Sequence, residues 1–158
     1  MGEGGPRRGS RRNRLWVTGL SVLLDTDFLV SYWNRDERRH AEATALFREL
    51  LEGDHGHLFV SDFVVDEAAT LALRRLHDLG RVREFVRFLL GVQPSPKVLA
   101  LLHVDDDLFQ SAARRLLASS SRTLSFTDWT SVELVREFGI DSVATFDSGL
   151  RGLVSAIP

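Results

Sequence analysis

Four carboxylates stand out by where they fall in the chain. Asp25 ends the apolar run Val22-Leu23-Leu24, and Asp147 ends the run Ser142 to Phe146. Asp128 follows Ser125 by three residues at the start of a helical pattern. Glu67 lies one turn inside a helix opened by Ser61-Asp62, with Asp66 beside it. In open α/β sheets, strand ends and the helix starts that follow them meet on one rim. Carboxylates gathered there repel one another unless some are protonated or divalent cations neutralise them. Oxygen donors with no cysteine point to Mg²⁺ or Mn²⁺ rather than zinc. Such a site suits in-line attack of water on a phosphodiester, because the ion activates the water and stabilises the attacking and leaving oxygens.

Each acid also has a plain structural reading. Asp25 and Asp147 each fit a turn-capping Asp at a strand end. Ser125-x-x-Asp128 is a capping-box pattern. Glu67 fits a first-turn acid favoured by the helix dipole, and spacing alone does not separate it from Asp66. The four together, each at a strand end or helix start, favour a shared site. The run Asp105 to Asp107 is explained by one helix N-terminus.

These positions require particular elements. Val22 to Leu24 is an unbroken aliphatic run, as in a strand covered on both faces. A helix with Ala41, Ala45, Leu46, Leu50 and Leu51 on its apolar face follows the polar loop Arg35 to Arg39, and Gly53 closes it. Leu58 to Val60 is a short strand. A long helix then runs from Asp62 to about Leu79 with Val65, Ala68, Ala69, Ala72, Leu76 and Leu79 inward, and Gly80 stops it. A helix from Arg81 to Leu90 comes next, and Val98 to Val104 reads as a third strand. Helices follow over 105–117 and 125–138, then the strand before Asp147, and an edge strand near Leu153 and Val154. Strands alternating with helices predict a three-layer α/β/α fold with a central, mainly parallel sheet of four or five strands.

The totals set limits. The 158 residues suit one domain, and 44% hydrophobic and 27% charged residues are ordinary for a globular chain. A net charge of −2 supplies no overall basic field for nucleic acid. The absence of cysteine excludes disulfides and thiolate sites, and fits a reducing, cytoplasmic setting. No apolar run approaches the roughly 20 residues of a membrane span. Residues 1–16 read as a disordered basic tail, and residues 17–158 as the folded domain: the first 14 residues hold four Gly and five Arg.

The chain resembles the PIN domain, most closely the VapC-type toxins. Four segments carry the likeness: LLDTDFLV, SDFVVDEAATLALRR, LSFTDWTSVELVREFGI and SVATFDSGL. The resemblance implies Asp25, Glu67, Asp128 and Asp147 as the acids that catalyse and hold metal. It selects Glu67 over Asp66 and adds Thr26, Ser125 and Thr127 as accompanying polar residues. It further implies a Mg²⁺- or Mn²⁺-dependent endoribonuclease acting on single-stranded RNA, a cognate antitoxin and a homodimer. Two departures are Asp27, where many relatives carry Ser or Asn, and Ser148-Gly149-Leu150, where basic or bulky residues are common.

Three other readings compete with a toxin nuclease. One is a PIN nuclease of RNA processing. Another is a PIN-like module that binds RNA or a partner without cutting, against which the four acids argue. The third is a phosphatase-like hydrolase with Asp25 of Asp25-Thr26-Asp27 as nucleophile. That chemistry wants a lysine near the phosphate, and the only one, Lys97, lies in a Pro-flanked loop.

Overall fold

The structure is a computed structural model that describes residues 20–52 and 56–157. The expected tail and the Gly53 helix stop lie outside the described residues. Five strands form one parallel sheet: β1 (Ser21–Leu24), β2 (His57–Ser61), β3 (Ala100–Leu102), β4 (Ser142–Ala144) and β5 (Ala156–Ile157). Their order is β3-β2-β1-β4-β5. The helices are α1 (Thr26–Trp33), α2 (His40–Glu52), α3 (Asp62–Arg75), α4 (Leu79–Leu90), α5 (Asp106–Ala118), α6 (Phe126–Phe138) and α7 (Ser148–Arg151).

The alternation of side chains along β1 divides the core. Val22 and Leu24 join Phe28, Phe47, Val60 and Phe85 in one cluster. Leu23 turns the other way, onto Phe59, Val132, Leu134 and Val143. Every residue of β1 is buried, as the unbroken apolar run requires of a central strand in a three-layer fold. From β1 the chain runs outward through β2 to β3, and β4 and β5 then add on the opposite flank. The strand order therefore reverses between β1 and β4, and the carboxyl ends of those two strands flank the crevice where such sheets bind ligands.

The sequence expectations need five corrections. The buried stripe of α2 is Ala43, Phe47 and Leu50, while Ala41, Ala45 and Leu51 face outward. Phe47 sets that phase: its ring lies 4.4 Å from Tyr32 and 6.4 Å from Phe28, burying more area than two alanines could. α3 ends at Arg75 instead of Leu79, because His77 adopts a left-handed φ of 51°. Asp78 then caps α4 by accepting from the N–H groups of Gly80 and Arg81, so Gly80 starts a helix rather than stopping one. The third strand is shorter than expected, and the edge strand is Ala156–Ile157, beyond Leu153 and Val154.

Candidate active site

A cleft of about 510 Å³ opens over the ends of β1 and β4. Asp25, Glu67, Asp128 and Asp147 all line it, together with Thr26, Asp27 and Ser125. Thr127 does not: it is buried beneath, and its carbonyl accepts from the Thr130 hydroxyl. Asp66 is exposed and away from the cleft, so helical phase puts Glu67 in and Asp66 out.

Asp25 continues the β1 ladder, its N–H donating to the Ala144 carbonyl at 3.1 Å. It occupies the N-cap position of α1, yet its side chain makes no capping bond. Instead Oδ2 accepts from the Thr145 hydroxyl at 2.8 Å, and Oδ1 is buried with no hydrogen-bond partner. The turn-capping reading of Asp25 therefore fails. Burial, first, and the charges of Asp27 and Asp128, second, hold its carboxyl well above the ordinary range.

Asp147 and Asp128 do cap, and this part of the structural reading holds. Asp147 Oδ1 accepts from the N–H groups of Gly149 (2.6 Å) and Leu150 (3.0 Å). A Cβ on Gly149 would stand 3.0 Å from that Oδ1 and 3.2 Å from Leu124, so the small residue after the last acid lets the backbone close on it. Asp128 completes the capping box: Oδ2 accepts from the Ser125 N–H, and the Ser125 hydroxyl accepts from the Asp128 N–H. Burial pushes the Asp128 carboxyl up, the charges of Asp147 and Glu67 add to this, and the Ser125 bonds oppose it. Glu67 Oε2 accepts from the Thr26 hydroxyl at 2.7 Å. Each of these three acids is thus oriented through one oxygen by bonds among the described residues. Capping engages Oδ1 of Asp147 and Oδ2 of Asp128.

Two residues escaped the sequence analysis as parts of the site. Thr145 is fully buried, bonds Asp25 and accepts the Asp147 N–H at 3.0 Å, so one hydroxyl ties the two strand-end acids together. The Thr-x-Asp spacing is the local signal for such a turn. Asp27, flagged only as a departure, receives the Phe146 N–H on its carboxylate at 3.1 and 3.2 Å. Burial raises its pKa, and the Phe146 bond partly offsets the rise.

The donor set suits a hard divalent cation: carboxylates only, one of them with a buried, unpartnered oxygen. Among the described residues, no group of three or more His, Asp or Glu side chains is close enough together to hold a metal ion as they stand. The acids share a cleft rather than a single point, as mutual repulsion favours. Lys97 is not among the lining residues; it packs beside Gly91 at the end of α4, which removes the cation that an Asp25 phosphatase would want.

A PIN domain family model matches residues 22–153. The chain belongs to the PIN domain family. It is 26% identical over 130 residues to a VapC ribonuclease of Archaeoglobus fulgidus, covering 82% of this chain and 78% of that protein. Among solved structures it is similar to VapC20 of Mycobacterium tuberculosis, a toxin that cleaves the sarcin-ricin loop. The TM-score is 0.69 at 26% identity, over 84% of this chain and 94% of that one. FitAcB from Neisseria gonorrhoeae shares the fold, with a TM-score of 0.61 at 17% identity over 87% and 96% of the two chains. Among the described residues no helix is long and apolar enough to cross a membrane.

Proposed function

We propose that this PIN domain is a Mg²⁺- or Mn²⁺-dependent endoribonuclease that hydrolyses phosphodiester bonds of single-stranded RNA. The observation that carries the reading is Asp25: a buried carboxylate with one oxygen unpartnered, repelled by Asp27 and Asp128, at the strand-order reversal. A protein keeps such an arrangement at a cost in stability, and a cation is what relieves it. Asp25, Glu67, Asp128 and Asp147 would hold the ion, which supplies charge neutralisation and a more acidic water. Thr145, Thr26 and Ser125 orient Asp25, Glu67 and Asp128 by the bonds described above. Hydrolysis adds the water oxygen to phosphorus and breaks the bond to the 3′ oxygen, which leaves as a hydroxyl.

The likeness to a VapC ribonuclease and to a VapC toxin supports a toxin ribonuclease. In the same reading it is the toxin of a toxin–antitoxin pair, restrained in the cytoplasm by a cognate antitoxin and active as a homodimer. The test is cleavage of single-stranded RNA by the purified protein. It should require Mg²⁺ or Mn²⁺, stop with EDTA, and leave 5′-phosphate and 3′-hydroxyl ends. Cleavage that persists in EDTA, or 2′,3′-cyclic phosphate ends, would exclude this mechanism. Co-purification with the product of a small neighbouring gene tests the antitoxin.

A further inference from the structure

The cleft carries both signs of charge. Its lining includes the carboxylates of Asp25, Asp27, Glu37, Glu67, Asp128 and Asp147, and the arginines Arg38, Arg39 and Arg75. Among the described residues no ion pair joins these arginines to Asp25, Asp27, Glu67, Asp128 or Asp147. Arg75 pairs with Glu37 at 3.0 Å, and Arg39 pairs with the half-exposed Glu42 at 3.6 Å. Arg39 is also held by an aromatic face: its guanidinium carbon lies 4.7 Å from the centroid of the Phe146 ring. That ring packs on Phe28 at 5.9 Å, and Phe146 immediately precedes Asp147. A cation is therefore fixed beside the acids without being neutralised by them.

We infer that Arg39, stacked on Phe146, forms a phosphate-binding subsite for single-stranded RNA, gripping a backbone phosphate next to the one presented to the carboxylates. The inference rests on reading the cleft as a nuclease site. The physical need is plain. A polyanion entering this cleft meets six carboxylates, only Glu37 of them paired with an arginine, and a chain of net charge −2 offers no general attraction. The attraction must be local. A guanidinium lying on an aromatic face keeps its N–H groups directed outward in its own plane, where they match phosphate oxygens in a fork. Stacking also fixes the side chain in advance, which lowers the entropy lost on binding. Arg38, exposed beside it, adds to the same field. Arg75 is tied to Glu37 and contributes less.

The experiment measures binding of a short, labelled single-stranded RNA by anisotropy, in EDTA, over a range of KCl. Parent, Arg39→Gln, Arg39→Lys and Arg83→Gln are compared, the last an exposed arginine of α4 outside the cleft. One lost single-strand phosphate contact should flatten the slope of log K against log salt by about 0.7, or about fivefold weaker binding at 0.1 M salt. Arg39→Gln should show that change, Arg39→Lys should keep the parent slope, and Arg83→Gln should match the parent. The inference is overturned if Arg39→Gln keeps the parent slope and affinity. It is equally overturned if that variant melts lower with the slope unchanged, which would make Arg39 a loop pin, or if Arg83→Gln loses as much. Cleavage in Mg²⁺ is scored separately. A parent that binds RNA through Arg39 but never cuts refutes the nuclease reading and leaves the subsite standing. A parent that cuts equally well as Arg39→Gln refutes the subsite alone. A parent that neither binds nor cuts refutes both.

Discussion

The Asp27 carboxylate clamps the Phe146 N–H between its two oxygens, at 3.2 and 3.1 Å. The bond spans from the first turn of α1 to the loop after β4, one residue before Asp147. It places Asp27 as a positioning residue for the Asp147 loop, and its oxygens are occupied by that task. Asn retains an acceptor for Phe146 and removes the charge. Asp27→Asn should therefore keep most of the cleavage rate and its Mg²⁺ dependence. Asp27→Ala should lose both, because the Phe146 N–H loses its partner and the loop relaxes. If Asp27→Asn instead raised the Mg²⁺ requirement as much as Asp147→Asn does, Asp27 would be a fifth ligand.

What the sequence made legible follows the range of the interactions. Asp25, Asp128 and Asp147 are readable because each stands in local grammar, the end of an apolar run or a capping box, whereas Glu67 is separated from Asp66 only by the family resemblance. The strand-order reversal between β1 and β4 was not readable, because nothing local says on which side of β1 the fourth strand will add. The partner of Thr145 and the role of Asp27, which stood out only as a departure from the family pattern, are not readable for the same reason. Their roles lie in bonds across about 120 residues of sequence, Thr145 to Asp25 and Asp27 to Phe146. The phase of α2 is not legible from its alanines, because the ring of Phe47 decides which face packs.

The resemblance implies a homodimer. Of the apolar residues on the helices over 62–90, Phe85 and Phe88 are core residues, stacked against Trp33 at 5.2 and 5.6 Å. Leu73 is exposed, and Phe63 is grouped with Phe109 and Phe126 at ring distances of 5.0–6.2 Å, where Phe109 is 41% exposed. A partner copy over this trio would cover it. Sedimentation should show a dimer that Phe109→Asp dissociates without lowering the melting temperature. A parent that stays monomeric at every concentration would end the proposal.

The raised carboxyls set a sign for pH. Asp25, Asp27 and Asp128 all have folded pKa values above the ordinary range, chiefly through burial. The native state therefore takes up these protons before the unfolded chain does. At a pH above the folded pKa values, the charged forms cost stability. As pH falls through those values toward the ordinary carboxylate range, that cost is removed and stability rises. The metal-free protein should melt higher at mildly acidic than at neutral pH. Each 1 kcal/mol relieved appears as about 2–4 °C in a chain of this size. Asp25→Asn should melt higher at neutral pH and show a flatter profile. Added Mg²⁺ should stabilise the parent most at neutral pH, where it meets least proton competition, and stabilise the variant less. A parent whose metal-free melting temperature falls steadily from neutral pH downward would contradict the burial described here.

Asp128 caps α6 and also lines the cleft, and substitutions can separate the cap from the proposed role in cleavage. Oδ2 completes the capping box with Ser125. Asn keeps a carbonyl oxygen for that bond, so Asp128→Asn should preserve the α6 start and the melting temperature while abolishing cleavage. Ser125→Ala removes the other half of the box. It should cost about 0.5–2 kcal/mol, the usual effect of losing an N-cap hydroxyl, and leave measurable cleavage because the carboxylate remains in the cleft. Asp128→Ala should do both, destabilising and inactivating. Thermal melts and RNA cleavage on the same three preparations decide the matter. An Asp128→Ala protein that melts lower yet still cuts RNA at the parent rate would reduce Asp128 to a cap. In that case Asp25, Glu67 and Asp147 would have to carry the chemistry alone.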